Sequence, residues 1–158
     1  VTSVLTPALT PGLSADELVA LVTRIAAEPG RWRPLLRFDA EERQWIRLPA
    51  PDGVDVWLLT WLPDQTTDLH DHGDSTAAYT VVLGAVEEDR IVAGAKRTGR
   101  LVAGQTRWLP PHAIHDVRGT VGGPAASIHA YSPPLTTMTW YDEDLQPFHT
   151  ERTTEPEG

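Results

Sequence analysis

The chain contains no cysteine among its 158 residues. Disulfides, zinc–thiolate sites and a cysteine nucleophile are therefore excluded, and any metal must be held by nitrogen or oxygen. Basic residues are scarce, 13 Lys and Arg against 22 Asp and Glu, for a net charge of −9. No basic stripe exists to meet phosphates, so neither nucleic acid nor an anionic membrane is expected as a partner. Long apolar runs are missing as well. No stretch approaches the ~18 residues of a membrane span, and the first basic residue is Arg24. Neither signal peptide nor span is expected, and the cytoplasm is the expected compartment.

What is present reads as one domain, since 158 residues suit a single core better than two. Residues 1–13 carry Pro7, Pro11 and Gly12 and read as a loose leader. In "SADELVALVTRIAAEPG" (14–30), Ser14 with Glu17 forms a capping box, and Leu18, Leu21, Val22 and Ile25 make one apolar stripe, the signature of an amphipathic helix. Pro29 and Gly30 stop it. From about residue 44 the texture changes. "VDVWLLTWL", "AAYTVVLGAVEED", "RIVAGAKR", "GRLVAGQTRWL", "HDVRGT" and "ASIHAYS" are strand-forming runs punctuated by turn signals such as "PDG", "PPH" and "GGP". Short strands at near-regular spacing predict an all-β sandwich or barrel. The boundaries expected are a domain over 14–142 and a disordered tail over 143–158, because "HTERTTEPEG" is polar and acidic.

The six histidines carry the chemistry. His70 and His72 fall one residue apart in "LHDHGDS" (69–75), and on a strand residues i and i+2 share a face. Such a pair can grip one ion or can be a solvated polar pair, and a site needs a third ligand from another strand. "GQTRWLPPHAIHDVRG" (104–119) offers His112 and His115. Both segments resemble the two motifs of the cupin superfamily. His70, His72 and Gly84 stand in register with the first motif, but Thr76 and Ala77 occupy the places where its glutamate would stand. Gly104, Pro110 and His115 match the second, while His112 and Gly119 depart from it. The resemblance selects His115 as the third ligand and implies an all-β, double-stranded β-helix (jelly-roll) barrel with a short N-terminal helical segment. His112 reads as a turn residue and His149 as solvated. Three neutral imidazoles leave a divalent ion its full charge and open positions, and histidine nitrogen alone does not name the metal.

On a strand, Ser127, His129 and Tyr131 of "SIHAYSPPL" (127–135) lie on one face. A hydroxyl, an imidazole and a phenol in line make a hydrogen-bond relay. At this point the chain resembles the thiol dioxygenases, and most closely the cysteine dioxygenase family. "HDHGDS" looks like that family's metal-binding segment, "IHDVRG" like the strand of its third ligand, and "SIHAYSPP" like its Ser–His–Tyr relay. The likeness implies Fe(II) on His70, His72 and His115, with Ser127, His129 and Tyr131 as catalytic residues. It implies a small-molecule thiol and O2 as partners, in a reaction that adds both oxygen atoms to the thiol sulfur to give a sulfinic acid. Some members crosslink the relay tyrosine to a cysteine; Ala77 stands at that place, so no such crosslink forms here. Cysteine-selective members pair the substrate carboxylate with an arginine in a Tyr-x-Arg context, which Trp45-x-Arg47 resembles. Arg47 is therefore favoured as a substrate-binding residue together with Tyr131; Arg43 is the alternative, and Gln44 is the neighbour that would suit 3-mercaptopropionate. Two further readings compete: the same site acting on another thiol (cysteamine or a specialised sulfur metabolite), and a non-enzymatic metal-binding or ligand-binding cupin. Composition is compatible with a monomer without selecting it.

Overall fold

The structure, a computed structural model, describes residues 12–152. After an N-terminal helix the chain is built of strands. Helix α1 (Ala15–Ala26) begins at Ser14, whose side chain accepts from the Glu17 amide while Glu17 returns the bond to the Ser14 amide. Its stripe of Leu18, Leu21, Val22 and Ile25 is buried, each side chain contributing roughly 1.5–3 kcal/mol. Trp32 closes the far end, its indole N–H donating to the Ala26 carbonyl at 3.2 Å.

Eleven strands follow: β1 (Trp45–Leu48), β2 (Asp55–Trp61), β3 (His70–Asp71), β4 (Thr76–Leu83), β5 (Ala85–Val92), β6 (Ala95–Val102), β7 (Thr106–Leu109), β8 (His115–Gly119), β9 (Ala125–Ser132), β10 (Thr137–Tyr141) and β11 (Pro147–Arg152). All pair antiparallel, in two sheets of order β1-β2-β9-β4-β7 and β11-β10-β3-β8-β5-β6. The five-stranded sheet is apolar on both faces. Val56, Leu58, Ile128 and Ala130 pack on the buried stripe of α1, whereas Trp57, Leu59, Trp61, Tyr79 and Tyr131 face the other way, toward the second sheet. Covering both faces explains why "VDVWLLTW" reads as a continuous apolar run rather than an alternating one. Among the described residues no helix is long and apolar enough to cross a membrane.

Four boundaries differ from the sequence-based expectation, the first in "GRLVAGQTRWL", which the turn at residues 103–105, with Gly104 at φ +94°, divides between β6 and β7. "AAYTVVLGAVEED" breaks at Gly84, which has φ of +65°; a Cβ there would collide with the Pro124 carbonyl oxygen. "RIVAGAKR" is not one strand but the turn of the β5–β6 hairpin, with Ala93 and Gly94 both at positive φ. The supposedly disordered tail contributes β11, and only residues 153–158 of it, like residues 1–11 of the leader, lie outside the described residues. Asp142 builds the turn that returns this strand, its carboxylate accepting from the Asp144 and Gln146 amides at 3.0 and 2.9 Å. β11 is solvated along its whole length, so its polar sequence is that of an outer edge strand.

Candidate metal centre

The register of β3 on β8 sets His70 directly opposite His115. His72 follows one residue beyond the end of β3, where Gly73 at φ +58° turns the chain. All three imidazoles are buried, with ring centroids 4.8–5.0 Å apart. One ligand atom from each lies within 4.8 Å of the others.

Hydrogen bonding decides where the lone pairs point. His70 Nδ1 lies 2.7 Å from the Asp68 carbonyl oxygen; a carbonyl only accepts, so Nδ1 carries the proton and Nε2 is free to ligate. His115 Nδ1 lies 3.0 Å from Glu88 Oε2, which likewise puts the proton on Nδ1. His115 Nε2 is then a buried atom with no hydrogen-bond partner, and such an atom costs free energy unless something binds it. His70 and His72 meet Nε2 to Nε2 at 3.0 Å. Burial pushes His70 down to about 3, helped by the charges of His115 and Arg43 and opposed by the Asp68 carbonyl. Burial and neighbouring histidines also hold His72 well below its ordinary value. Neutral, convergent nitrogen donors fit a divalent transition metal. No carboxylate belongs to the set, as the motif departure at Thr76 and Ala77 implies.

β9 carries the residues beside this centre. Ser127, His129 and Tyr131 are all buried on its interior face. Ser127 Oγ accepts from the Trp61 indole at 2.9 Å and lies 2.7 Å from His129 Nε2. Tyr79 stacks on His129 with centroids 4.8 Å apart. Among the described residues no hydrogen bond joins His129 to Tyr131; the longer tyrosine ring instead reaches past it to lie 4.9 Å from His72. The serine–histidine half of the expected relay is made and the histidine–tyrosine half is not. Burial raises the Tyr131 phenol, so that it stays protonated and can donate. Burial likewise keeps His129 neutral, its value held well below the ordinary one.

These groups open into a cavity of about 520 Å³ whose wall includes Arg43, Trp57, Leu59, Met138 and Trp140. Arg47, favoured on its spacing from Trp45, is not part of that wall. It bonds Asp55 at 2.8 Å and is 42% exposed, lining a separate outer groove instead. The reason lies in the neighbouring strand: β1 pairs Arg47 with Trp57, which places the guanidinium beside the buried Asp55 rather than beside the histidines. Arg43, four residues earlier and just before β1, lies over the Trp61 ring at 4.9 Å. Burial lowers its pKa, with Tyr131 opposing. Gln44 is tied to the Glu42 carbonyl and does not line the cavity. His112 sits in a turn at φ +64° and pairs with the exposed Asp74, while His149 lies against Trp140 on the outer edge.

Sequence reasoning missed Glu88, Tyr79, Trp61 and Asp55. A signal existed for Glu88: it follows Val86 by two residues on β5, and both are buried on the same inward face. An acid in phase with core residues is seldom there without a partner.

Two facing antiparallel sheets, with the histidines between them, define a cupin. Solved structures with the same fold include protein TT1209 of Thermus thermophilus (TM-score 0.58, 24% identity, 65% of this chain and 93% of that one). A Klebsiella pneumoniae protein with a double-stranded β-helix domain gives a TM-score of 0.56 at 18% identity, over 64% and 85% of the two chains. The chain belongs to the family described as cysteine dioxygenase type I, whose model matches residues 10–144. Among curated relatives, cysteine dioxygenase type 1 of Bos taurus is 22% identical over 144 residues, covering 83% of this chain and 71% of that one. The Danio rerio protein of the same name is 23% identical over 147 residues, with the same coverage.

Proposed function

We propose that the protein is an Fe(II)-dependent thiol dioxygenase that adds both atoms of O2 to the sulfur of L-cysteine, giving cysteine sulfinic acid. The observation that carries this reading is the convergence of three buried imidazoles, with no carboxylate among them, on a cavity that also holds a half-buried arginine and a protonated phenol. Iron(II) on His70, His72 and His115 would supply open coordination positions and a redox-active ion, while the four electrons that reduce dioxygen come from the thiol sulfur. The remaining chemistry belongs to the chain. Arg43 is the substrate-binding arginine: its planar fork matches a carboxylate, and its stacking on Trp61 holds the fork inside the cavity. Tyr131 donates its hydroxyl proton toward the reacting oxygen or the substrate carboxylate. His129, oriented by Ser127 and by stacking on Tyr79, forms the wall behind that phenol. Trp57, Leu59, Met138 and Trp140 exclude water from the space around the sulfur.

A second reading keeps the reaction and enlarges the thiol. It is favoured by the cavity, whose 520 Å³ and apolar lining would accommodate a bulkier thiol carboxylate. One experiment separates these. Metal-free protein is loaded anaerobically with Fe(II), and oxygen uptake is measured on cysteine, 3-mercaptopropionate, cysteamine and thiol carboxylates with longer tails. Cysteine is expected to be consumed with one O2 per thiol, and label from 18O2 should appear twice in the sulfinate. Uptake only with a longer thiol would move the substrate assignment. No uptake with any thiol would sink the enzyme reading.

A further inference from the structure

Among the described residues Glu88 is the one carboxylate that reaches the histidine cluster, and it does so from behind a ligand. Its side chain is fully buried. Oε2 accepts from Tyr79 Oη at 2.7 Å and from His115 Nδ1 at 3.0 Å. Oε1 faces Arg107 Nε at 2.8 Å and Arg90 Nε at 3.4 Å, close enough for ion pairing though not aligned as hydrogen bonds. A buried anion this thoroughly held is costly to assemble unless its position matters. We propose that Glu88 is a positioning residue for the metal: it locks His115 in the Nδ1–H tautomer, aims Nε2 into the centre, and strengthens that nitrogen as a donor.

Three features favour this over a merely structural ion pair. First, the acceptor oxygen of Glu88 is turned to His115 and Tyr79, while the arginines occupy the other oxygen. A carboxylate serving only Arg107 would not need that orientation. Second, the cupin glutamate is missing from the ligand set, and Thr76 and Ala77 leave nothing to replace it there. Glu88 returns a negative charge to the centre one residue further out. Third, Tyr79 is shared. It donates to Glu88 and stacks on His129, so the same carboxylate holds both the third ligand and the imidazole beside Tyr131. A ligating histidine whose second nitrogen donates to a carboxylate is a recurrent arrangement, and removing the carboxylate commonly weakens metal binding 10–100-fold.

This inference rests on the three-histidine metal reading, not on the choice of thiol, and its test separates the two. Fe(II) affinity is measured anaerobically by competition with a chelator for wild type and for Glu88→Gln, which keeps the volume and removes the charge. In the metal-free protein, the imidazole 15N shifts report the His115 tautomer. Wild type is expected to bind Fe(II) and to show His115 protonated on Nδ1. Glu88→Gln should remain folded by circular dichroism, bind at least tenfold more weakly and show mixed tautomers. A wild type that binds no Fe(II) would overturn the metal reading itself. Wild-type affinity retained in Glu88→Gln would overturn the role of Glu88 alone. Should the variant not fold, the wild-type tautomer decides: His115 protonated on Nε2 refutes the proposal, and protonated on Nδ1 supports it.

Discussion

Arg43 and Arg47 stand four residues apart, point to the same side of the sheet and end in different places. Spacing could not separate them, because period-2 alternation gives both the same face. What separates them is contributed by β2: Trp61 offers a ring for Arg43, and Asp55 a carboxylate for Arg47. Neither contact can be read from the arginines' own neighbours, whereas His70 and His72 were legible from their spacing on a strand, and His115 was separated from His112 by the resemblance to the second cupin motif. The consequence is measurable. Arg43→Ala should lower kcat/KM for cysteine at least tenfold, since losing a desolvated charge-assisted contact costs about 2–5 kcal/mol, and ~1.4 kcal/mol is a decade. Cysteamine, which has no carboxylate, should lose much less. Arg47→Ala should change turnover little, because the Arg47 side chain is 42% exposed, its charge is screened by solvent, and it does not line the cavity of the histidines. The reverse ranking, with Arg47→Ala the damaging change for cysteine alone, would return the carboxylate to Arg47.

At the scale of elements, the helix and β9 were readable because each shows its own period without interruption. Ser127, His129 and Tyr131 face the centre while Ile128 and Ala130 face α1, so alternation alone sorted the strand. The hairpins were less readable, since Gly84 and the Ala93–Gly94 turn interrupt runs that remain β-forming on both sides. β11 was invisible for a physical reason: an outer edge strand has no core to face, so its pattern is that of a polar loop. Gly84 also makes an element-scale prediction. It joins β4, from which Tyr79 projects, to β5, from which Glu88 projects, at a φ of +65° with no room for a Cβ. Gly84→Ala should therefore cost on the order of 1–3 kcal/mol through backbone strain, and more if the clash with Pro124 pushes the β4–β5 turn away from the start of β9. Thermal melts of the metal-free variant should fall by several degrees, and its Fe(II) affinity should fall with them. A variant as stable as wild type would mean the turn relaxes into another conformation.

For the whole molecule, the centre is a liability that only neutral histidines make tolerable. Burial holds His70, His72 and His129 below their ordinary value near 6.5, with His70 at about 3. The folded state therefore refuses protons that the unfolded chain accepts below about pH 6.5. Where the unfolded state binds more protons, stability rises with pH, so acidification from pH 7 must destabilise the metal-free protein. Each of the three histidines can contribute up to ~1.4 kcal/mol per pH unit once the unfolded chain is fully protonated. Two other acid-linked effects have to be kept apart from this one. Burial opposes ionisation of Glu88, but its bonds from His115 and Tyr79 and the charge of Arg107 hold its carboxyl below the usual 4.5. Its contribution is thus lost only at lower pH, beneath the histidine window. The overall charge of −9 shrinks toward zero near the pI of about 5.0, which relieves self-repulsion and works in the opposite direction, while lowering solubility. Urea unfolding of metal-free protein between pH 7 and 5.5 keeps the histidines apart from Glu88, and the relief of self-repulsion in that interval acts against the fall rather than producing it. Stability should drop steadily across that interval, and His129→Gln, which removes one of the three without touching a metal ligand, should flatten the slope by about a third of the ~4 kcal/mol per unit that three such groups can supply. A flat profile in wild type would mean that the imidazoles are solvated or already protonated in the fold, and a centre of that kind could not present three free nitrogen lone pairs to a metal.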